Sequence, residues 1–281
     1  MLTSQSTLDI VNKIDLYEKE GLFDQDIFDD PETIPLKPGE IDYLRKKKSS
    51  KLKTRIANFI AFHYFEKLIK KKEIYIKDIT GIENFKKVTS GAVLTCNHFH
   101  PFDNYAIYHV IYKELHKQGK KDLWKVIREG NYHAFKGMLG FFFRNCNTLP
   151  LAADFHVMKD FIKSCDSLLN NGEKILIYPE QALWPNYRKP RPLKIGAFEI
   201  ACRSNVPVIP FYIEMHSTDL KDKRGNYINS WTIHILEPIY PDLSLDKKDR
   251  AVDMMNKNYE ALKNIYESSY HVRLTYKNER K

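Results

Sequence analysis

The apolar residues of this chain fall into two patterns that alternate after residue 73. Short, nearly continuous runs predict strands at Glu73 to Lys77, Ala92 to Cys96, Leu123 to Ile127, Lys174 to Tyr178, Pro207 to Ile213 and Trp231 to Leu236. Stretches of helical period separate them, at about 103–118, 132–142, 154–170 and 194–204, and a long helix is expected from Lys247 to Tyr270. Strands that are apolar on both sides need cover on both sides. The alternation therefore predicts an α/β fold: a mostly parallel sheet with helices on both faces.

The first 72 residues follow a different pattern. A short helix is expected at about 5–20, then a polar connector carrying Pro31, Pro35, Pro38 and Gly39. A second helix spans Arg55 to Lys70. Its apolar residues (Ile56, Phe59, Ile60, Phe62, Tyr64, Phe65, Leu68 and Ile69) cover more of the helical wheel than one core-facing stripe requires. It is too short to span a bilayer but long enough to lie in one leaflet. The alternative is a core helix with a solvated basic end.

Charge sharpens the division. Residues 1–42 hold eleven acids against three bases, a net −8, whereas residues 45–72 hold eleven bases against one acid, a net +10. So abrupt a reversal marks a boundary near residue 44. Residues 1–72 are expected to be an acidic helix, a linker and a basic amphipathic helix that associates with an anionic membrane surface, and residues 73–281 the α/β domain. Lysines flanking a ring-rich face suit anionic headgroups. The overall charge of +9 also suits nucleic acid, but no nucleic-acid-binding module is present to use it.

The hydrophobic content of 43% is sufficient for a packed core. No apolar run is long enough for a spanning helix, and the first twenty residues lack the pattern of a secretory signal. Cys96, Cys146, Cys165 and Cys202 have no C-x-x-C spacing, which suits a reducing cytoplasm and gives no zinc knuckle. Cys96 is either a nucleophile or a strand cysteine packed in the core.

The most informative stretch is Val93-Leu-Thr-Cys-Asn-His-Phe-His-Pro-Phe-Asp103, where a buried strand runs into a turn and a helix begins. Catalytic groups of open α/β sheets sit at such carboxyl ends. Asp103 is close enough across the turn to accept from one ring nitrogen of His98, leaving the other as a base. No serine or cysteine is placed as an obvious nucleophile, so direct attack by a substrate hydroxyl fits better than an acyl-enzyme. Asp103 could instead cap the helix. His98, His100 and Asp103 could be metal ligands, although no second cluster completes such a site.

At these residues the chain resembles the glycerolipid acyltransferases, the family that includes lysophosphatidate acyltransferase. Asn97-His98 with Asp103 matches the family's N-H-x-x-x-x-D block. Tyr178-Pro179-Glu180 resembles the start of its F-P-E-G-x-R-S block, Lys194-Ile-Gly196-Ala197-Phe198 its K-x-G-A-F, and Val206-Pro207-Val208-Ile209-Pro210 its V-P-V-I-P. Thr80 to Phe85 is similar to the segment before the first strand. Each block is weak alone; four in order over about residues 73–215 are not.

The resemblance implies O-acyl transfer with His98 as base and Asp103 as its orienter, and an acyl thioester or acyl phosphate as donor. It implies no metal and no organic cofactor. It also implies a partly embedded N-terminal segment, hence a peripheral, monotopic protein on the cytoplasmic face of a membrane. The departures concern the acceptor. The family's glycine and phosphate-binding arginine fall at Gln181 and Leu183, and a second arginine falls near Leu151 or Ala152. The candidate residues for binding the acceptor are then Glu180, Arg144, and the cluster Arg188, Lys189 and Arg191, because a guanidinium suits phosphate. These bases could equally solvate a proline-rich loop. A lysophospholipid is the leading acceptor, with a glycolipid or polyol headgroup as the alternative. Outside transfer altogether stand a silent membrane-binding module and a hydrolase working through His98.

Overall fold

The computed structural model describes residues 7–28, 33–120, 122–222 and 225–280. The expected start of the first helix at residues 5 and 6, and Asp29, Asp30, Pro31 and Glu32 of the connector, lie outside the described residues.

Seven strands form one sheet: β1 (Tyr75–Thr80), β2 (Ala92–Thr95), β3 (Leu123–Arg128), β4 (Thr148–Leu151), β5 (Lys174–Ile177), β6 (Val208–His216) and β7 (Ser230–Ile235). Their order is β1-β7-β6-β2-β5-β3-β4, and only the β6–β7 pair is antiparallel. The nine α-helices of the described residues are α1 (Thr7–Glu20), α2 (Lys48–Lys70), α3 (Ile82–Lys86), α4 (Asp103–Lys117), α5 (Glu129–Ala134), α6 (Gly137–Asn145), α7 (Phe155–Asn170), α8 (Gly196–Arg203) and α9 (Lys247–Tyr270).

Alternating side chains of the central strands enter two cores. Leu94, Leu176 and Ile209 face α2, α3 and α4 through Ala57, Ala61, Phe65, Phe85, Ala106 and Ile111. Val93, Ile175 and Val208 face α7, α8 and α9 through Val157, Phe161, Phe198, Ala201 and Met254. The expected two-sided, mostly parallel sheet is what forms.

Some elements differ from expectation. The first strand is shifted to Tyr75–Thr80, where it pairs with β7. The helix expected at 132–142 is two helices, because Phe135 and Lys136 are extended and Gly137 has φ +60°. The edge strand β4 and the short helix α3 were not anticipated. Asp154 starts α7 as an N-cap, accepting from the N–H groups of His156 and Val157 at 2.9 and 3.0 Å.

Residues before 73 pack against the α/β domain. Helix α2 gives Ala57, Ala61, Phe65 and Leu68 to the core. Ile14, Phe23 and Ile27 build a third core with Trp184, Tyr212, Leu262, Tyr266 and Tyr276. The acids of this segment reach the domain's bases: Glu18 pairs with Lys189, Asp24 with Lys194, Asp26 with Arg128 and Asp15 with Lys277. The opposite face of α2 leaves Leu52, Ile56, Phe59, Ile60 and Tyr64 exposed, Phe59 by 64%. Among the described residues no helix is long and apolar enough to cross a membrane.

Candidate active site

Strands β2, β5 and β6 run parallel, so the turns at their carboxyl ends converge. Asn97 anchors the turn after β2 by behaving like one more strand residue. Its side-chain oxygen accepts from the Ile213 N–H at 2.8 Å and its amide donates to the Ile213 carbonyl at 3.1 Å. The next residue, His98, is thereby projected off the end of the sheet. Its backbone is held by Trp184 N–H, which donates to its carbonyl at 3.1 Å, and its own N–H donates to Glu180 Oε2 at 3.2 Å.

His98 Nδ1 lies 2.8 Å from Asp103 Oδ2, and its side chain retains 18% exposure while that of Asp103 has none. A carboxylate partner assigns the proton to Nδ1, which leaves Nε2 as an acceptor. Asp103 is the first residue of α4, yet it does not cap that helix. Its carboxylate turns back to the preceding loop and accepts from the Phe99 and His100 N–H groups, both at 3.2 Å. A fourth donor comes from just past β5: Tyr178 Oη donates to Asp103 Oδ1 at 2.5 Å, and its ring stacks on His98 with centroids 3.9 Å apart. Burial and the Asp103 charge drive the Tyr178 pKa far up, so it remains a donor.

The rival roles of neighbouring residues are decided by their surroundings. Cys96 is fully buried, and burial together with the Asp103 charge raises its pKa well above the usual thiol value. It is a core thiol. His100 Nδ1 accepts from the Phe102 N–H at 3.2 Å, its ring meets Trp231 at 5.1 Å, and burial lowers its pKa to about 4. Among the described residues no group of three or more His, Cys, Asp or Glu side chains is placed to hold a metal ion.

The candidate acceptor-binding residues separate. Arg191 and Glu180 are almost wholly buried and paired with each other, Nη2 to Oε2 at 2.9 Å. Arg191 also donates to the carbonyls of Phe23 and Ala182, its guanidinium stacks 4.8 Å from the Trp184 ring, and its backbone N–H donates to Glu180 Oε1. Both are packed against the catalytic turn, where Glu180 Oε2 also accepts from the His98 N–H. Lys189 is engaged with Glu18 at 2.5 Å. Arg188 is exposed, donates to Ser217 Oγ at 3.2 Å just beyond β6, and lies 5.4 Å from the Tyr270 ring. Arg144 sits on α6, donating to the carbonyls of Tyr132 and Phe135. Sequence reasoning missed Tyr178 as a partner of Asp103; the only signal was a tyrosine where the resembled block carries phenylalanine.

Known proteins resemble this chain in sequence family and in fold. A family model described as Acyltransferase matches residues 77–214, the stretch that holds His98, Asp103, Tyr178 and Glu180. The fold is similar to the crystal structure of the 1-acyl-sn-glycerophosphate (LPA) acyltransferase PlsC from Thermotoga maritima. The TM-score is 0.54 with 17% sequence identity, over 96% of each chain. At that identity the likeness is one of fold. No curated protein matches the sequence significantly.

Proposed function

We propose, on the premise of the acyltransferase family model that matches residues 77–214, that the chain acylates the hydroxyl of a lysophospholipid at a membrane surface. The single observation that carries the reading is the His98–Asp103 contact at 2.8 Å, with the free ring nitrogen at the solvent-reaching end of the sheet. His98 Nε2 takes the proton of the acceptor hydroxyl as its oxygen attacks the acyl carbonyl. The carbonyl–donor bond then breaks, and the proton leaves with the donor's thiol or phosphate. Asp103 holds the ring and offsets the imidazolium formed in between. Fatty acyl donor and lyso-lipid are both substrates.

Membrane action is supported by α2, whose outward face carries Leu52, Ile56, Phe59 and Tyr64 between basic ends. Peripheral binding to the cytoplasmic face fits this amphipathic geometry. A second reading, an acceptor without a terminal phosphate such as a glycolipid or polyol, is favoured by one observation. Of the three bases in the cluster 188–191, Lys189 and Arg191 are already paired with acids. The test is incubation with a labelled acyl donor and a panel of lyso-acceptors, with the acylated product identified by mass and His98→Ala as the control. Release of free fatty acid without any acylated lipid would overturn the transfer reading.

A further inference from the structure

Away from His98, where the connector meets α2, a cavity of about 480 Å³ opens between residues 40–53, α5 and α6. Four cations line it: Arg45, Lys47, Lys53 and Arg144. Among the described residues none of the four forms an ion pair. Its two acids are already engaged. Glu40 accepts from His133 and from the Lys37 N–H, and Asp42 accepts from the N–H groups of Lys46 and Lys47.

Arg45 is the anomaly. It is only 8% exposed, and its Nη groups donate to the backbone carbonyls of Asp42 and Thr148 at 2.6 and 3.1 Å. Its Nε has no partner. Its backbone holds φ at +53°, in the left-handed region that a non-glycine residue adopts at a cost. Its hydrogen bonds go only to neutral carbonyls, and the acid whose charge acts on it, Asp42, is already shared with the N–H groups of Lys46 and Lys47. Beside it α2 begins with no side-chain cap, so the N–H groups of Lys48, Ser49 and Ser50 lack helical acceptors, and Ser49 and Ser50 line the same cavity.

We propose that this cavity is a binding site for a phosphate group, distinct from the His98 centre. A phosphate there gives Arg45 Nε an acceptor and adds negative charge where four cations face only two acids, at the start of α2. Lys47 and Lys53 close on it from solvent, and Arg144 faces it from α6. Two sources share this chemistry: a phosphate of a water-soluble acyl donor, or the headgroup of an anionic phospholipid in the surface on which α2 rests.

The test measures binding, not turnover, so its outcome is independent of the acyl-transfer reading. Lys47 and Lys53 are exposed, and Lys47→Gln/Lys53→Gln removes two cations without opening the core. Lys70→Gln/Lys71→Gln, at the exposed far end of α2, is the charge-matched control. In calorimetric titration the soluble source requires coenzyme A and pyrophosphate to bind the full chain. The cavity variant then binds them about ten- to a hundredfold more weakly, and the control does not. The headgroup source requires phosphatidate vesicles to bind more tightly than phosphatidylglycerol vesicles. That preference disappears in the cavity variant and survives in the control. If the two variants behave alike in both arms, the site is overturned.

Discussion

Tyr178 donates a 2.5 Å hydrogen bond to Asp103 and stacks on His98, the ring that Asp103 orients. One residue thus holds both members of the pair, from the position just past β5, whose last residue pairs with β2 through the register Thr95↔Ile177. Tyr178→Phe keeps the stack and removes the hydroxyl. Asp103 then loses one of its four donors and holds the ring less firmly, so kcat is expected to fall roughly tenfold. An unchanged kcat would make Tyr178 a packing residue only.

His98→Ala is expected to lower acyl transfer by about 10²- to 10⁴-fold while leaving thermal unfolding near that of the native chain. Retention of more than about a tenth of turnover would remove His98 from the base role. Asp103→Asn costs activity too, but four donors converge on that carboxylate, so its unfolding temperature should also drop. His100→Ala, which deletes a ring packed on Trp231, should be the mildest of the three in kcat.

What could be read from the sequence was what is local. Helix α9 matches its expected span, because periodicity held unbroken over it. His98 and Asp103 were visible because a single turn joins them. The edge strand β4 was hidden by Pro150, a residue that argues against a central strand but is tolerated where only β3 pairs with it. Tyr178 was hidden because its meeting with Asp103 depends on how β5 registers on β2, which no spacing records. Arg191 looked like one of several surface bases between prolines. Its burial follows from Glu180 and from the Phe23 carbonyl of the N-terminal segment, a contact spanning most of the chain. Arg45 was counted among membrane-facing bases for the same reason.

The Glu180–Arg191 pair is expected to be structural. Breaking a buried pair leaves an uncompensated charge at a cost of about 3–5 kcal/mol. Glu180→Gln should therefore lower the unfolding temperature markedly, and kcat should fall through displacement of His98, whose N–H also donates to this carboxylate. Differential scanning calorimetry decides it. An unchanged transition with a raised KM for the acceptor would return Glu180 to the substrate.

Membrane binding is best tested by surface substitution. Deleting residues before 73 would strip Ala57, Ala61, Phe65 and Leu68 from the core and confound folding with binding. Ile56→Ser/Phe59→Ser alters only the exposed face. Full burial of such side chains contributes about 1.5–3 kcal/mol each, so vesicle affinity should fall by ten- to a hundredfold or more, as measured by sedimentation. Binding should also weaken with added salt, as lysines lose their hold on anionic lipid. Vesicle affinity untouched by the double substitution would exclude this face as the contact.

The acceptor turns on Arg188. Loop 184–188 is laid along the catalytic turn: Trp184 N–H bonds the His98 carbonyl and Asn186 N–H the Phe99 carbonyl at 3.2 Å. Arg188 follows two residues later, exposed and without a carboxylate partner among the described residues, while Lys189 and Arg191 are each paired. A phosphate read by this loop must therefore be read by Arg188. Loss of one charge-assisted contact costs about 1.5–3 kcal/mol, so Arg188→Ala should raise the KM for lysophosphatidate by about 10- to 100-fold. It should spare the KM of the acyl donor and of an uncharged lyso-acceptor. Lys189→Ala should lower stability and leave that selectivity alone, because its amine holds Glu18 of the N-terminal helix. Arg144→Ala, on α6 and bonded to the Tyr132 and Phe135 carbonyls, should leave it alone as well. Should Arg188→Ala leave the ratio of the two KM values where it was, the loop binds no phosphate, and a glycolipid or polyol acceptor becomes the reading to pursue.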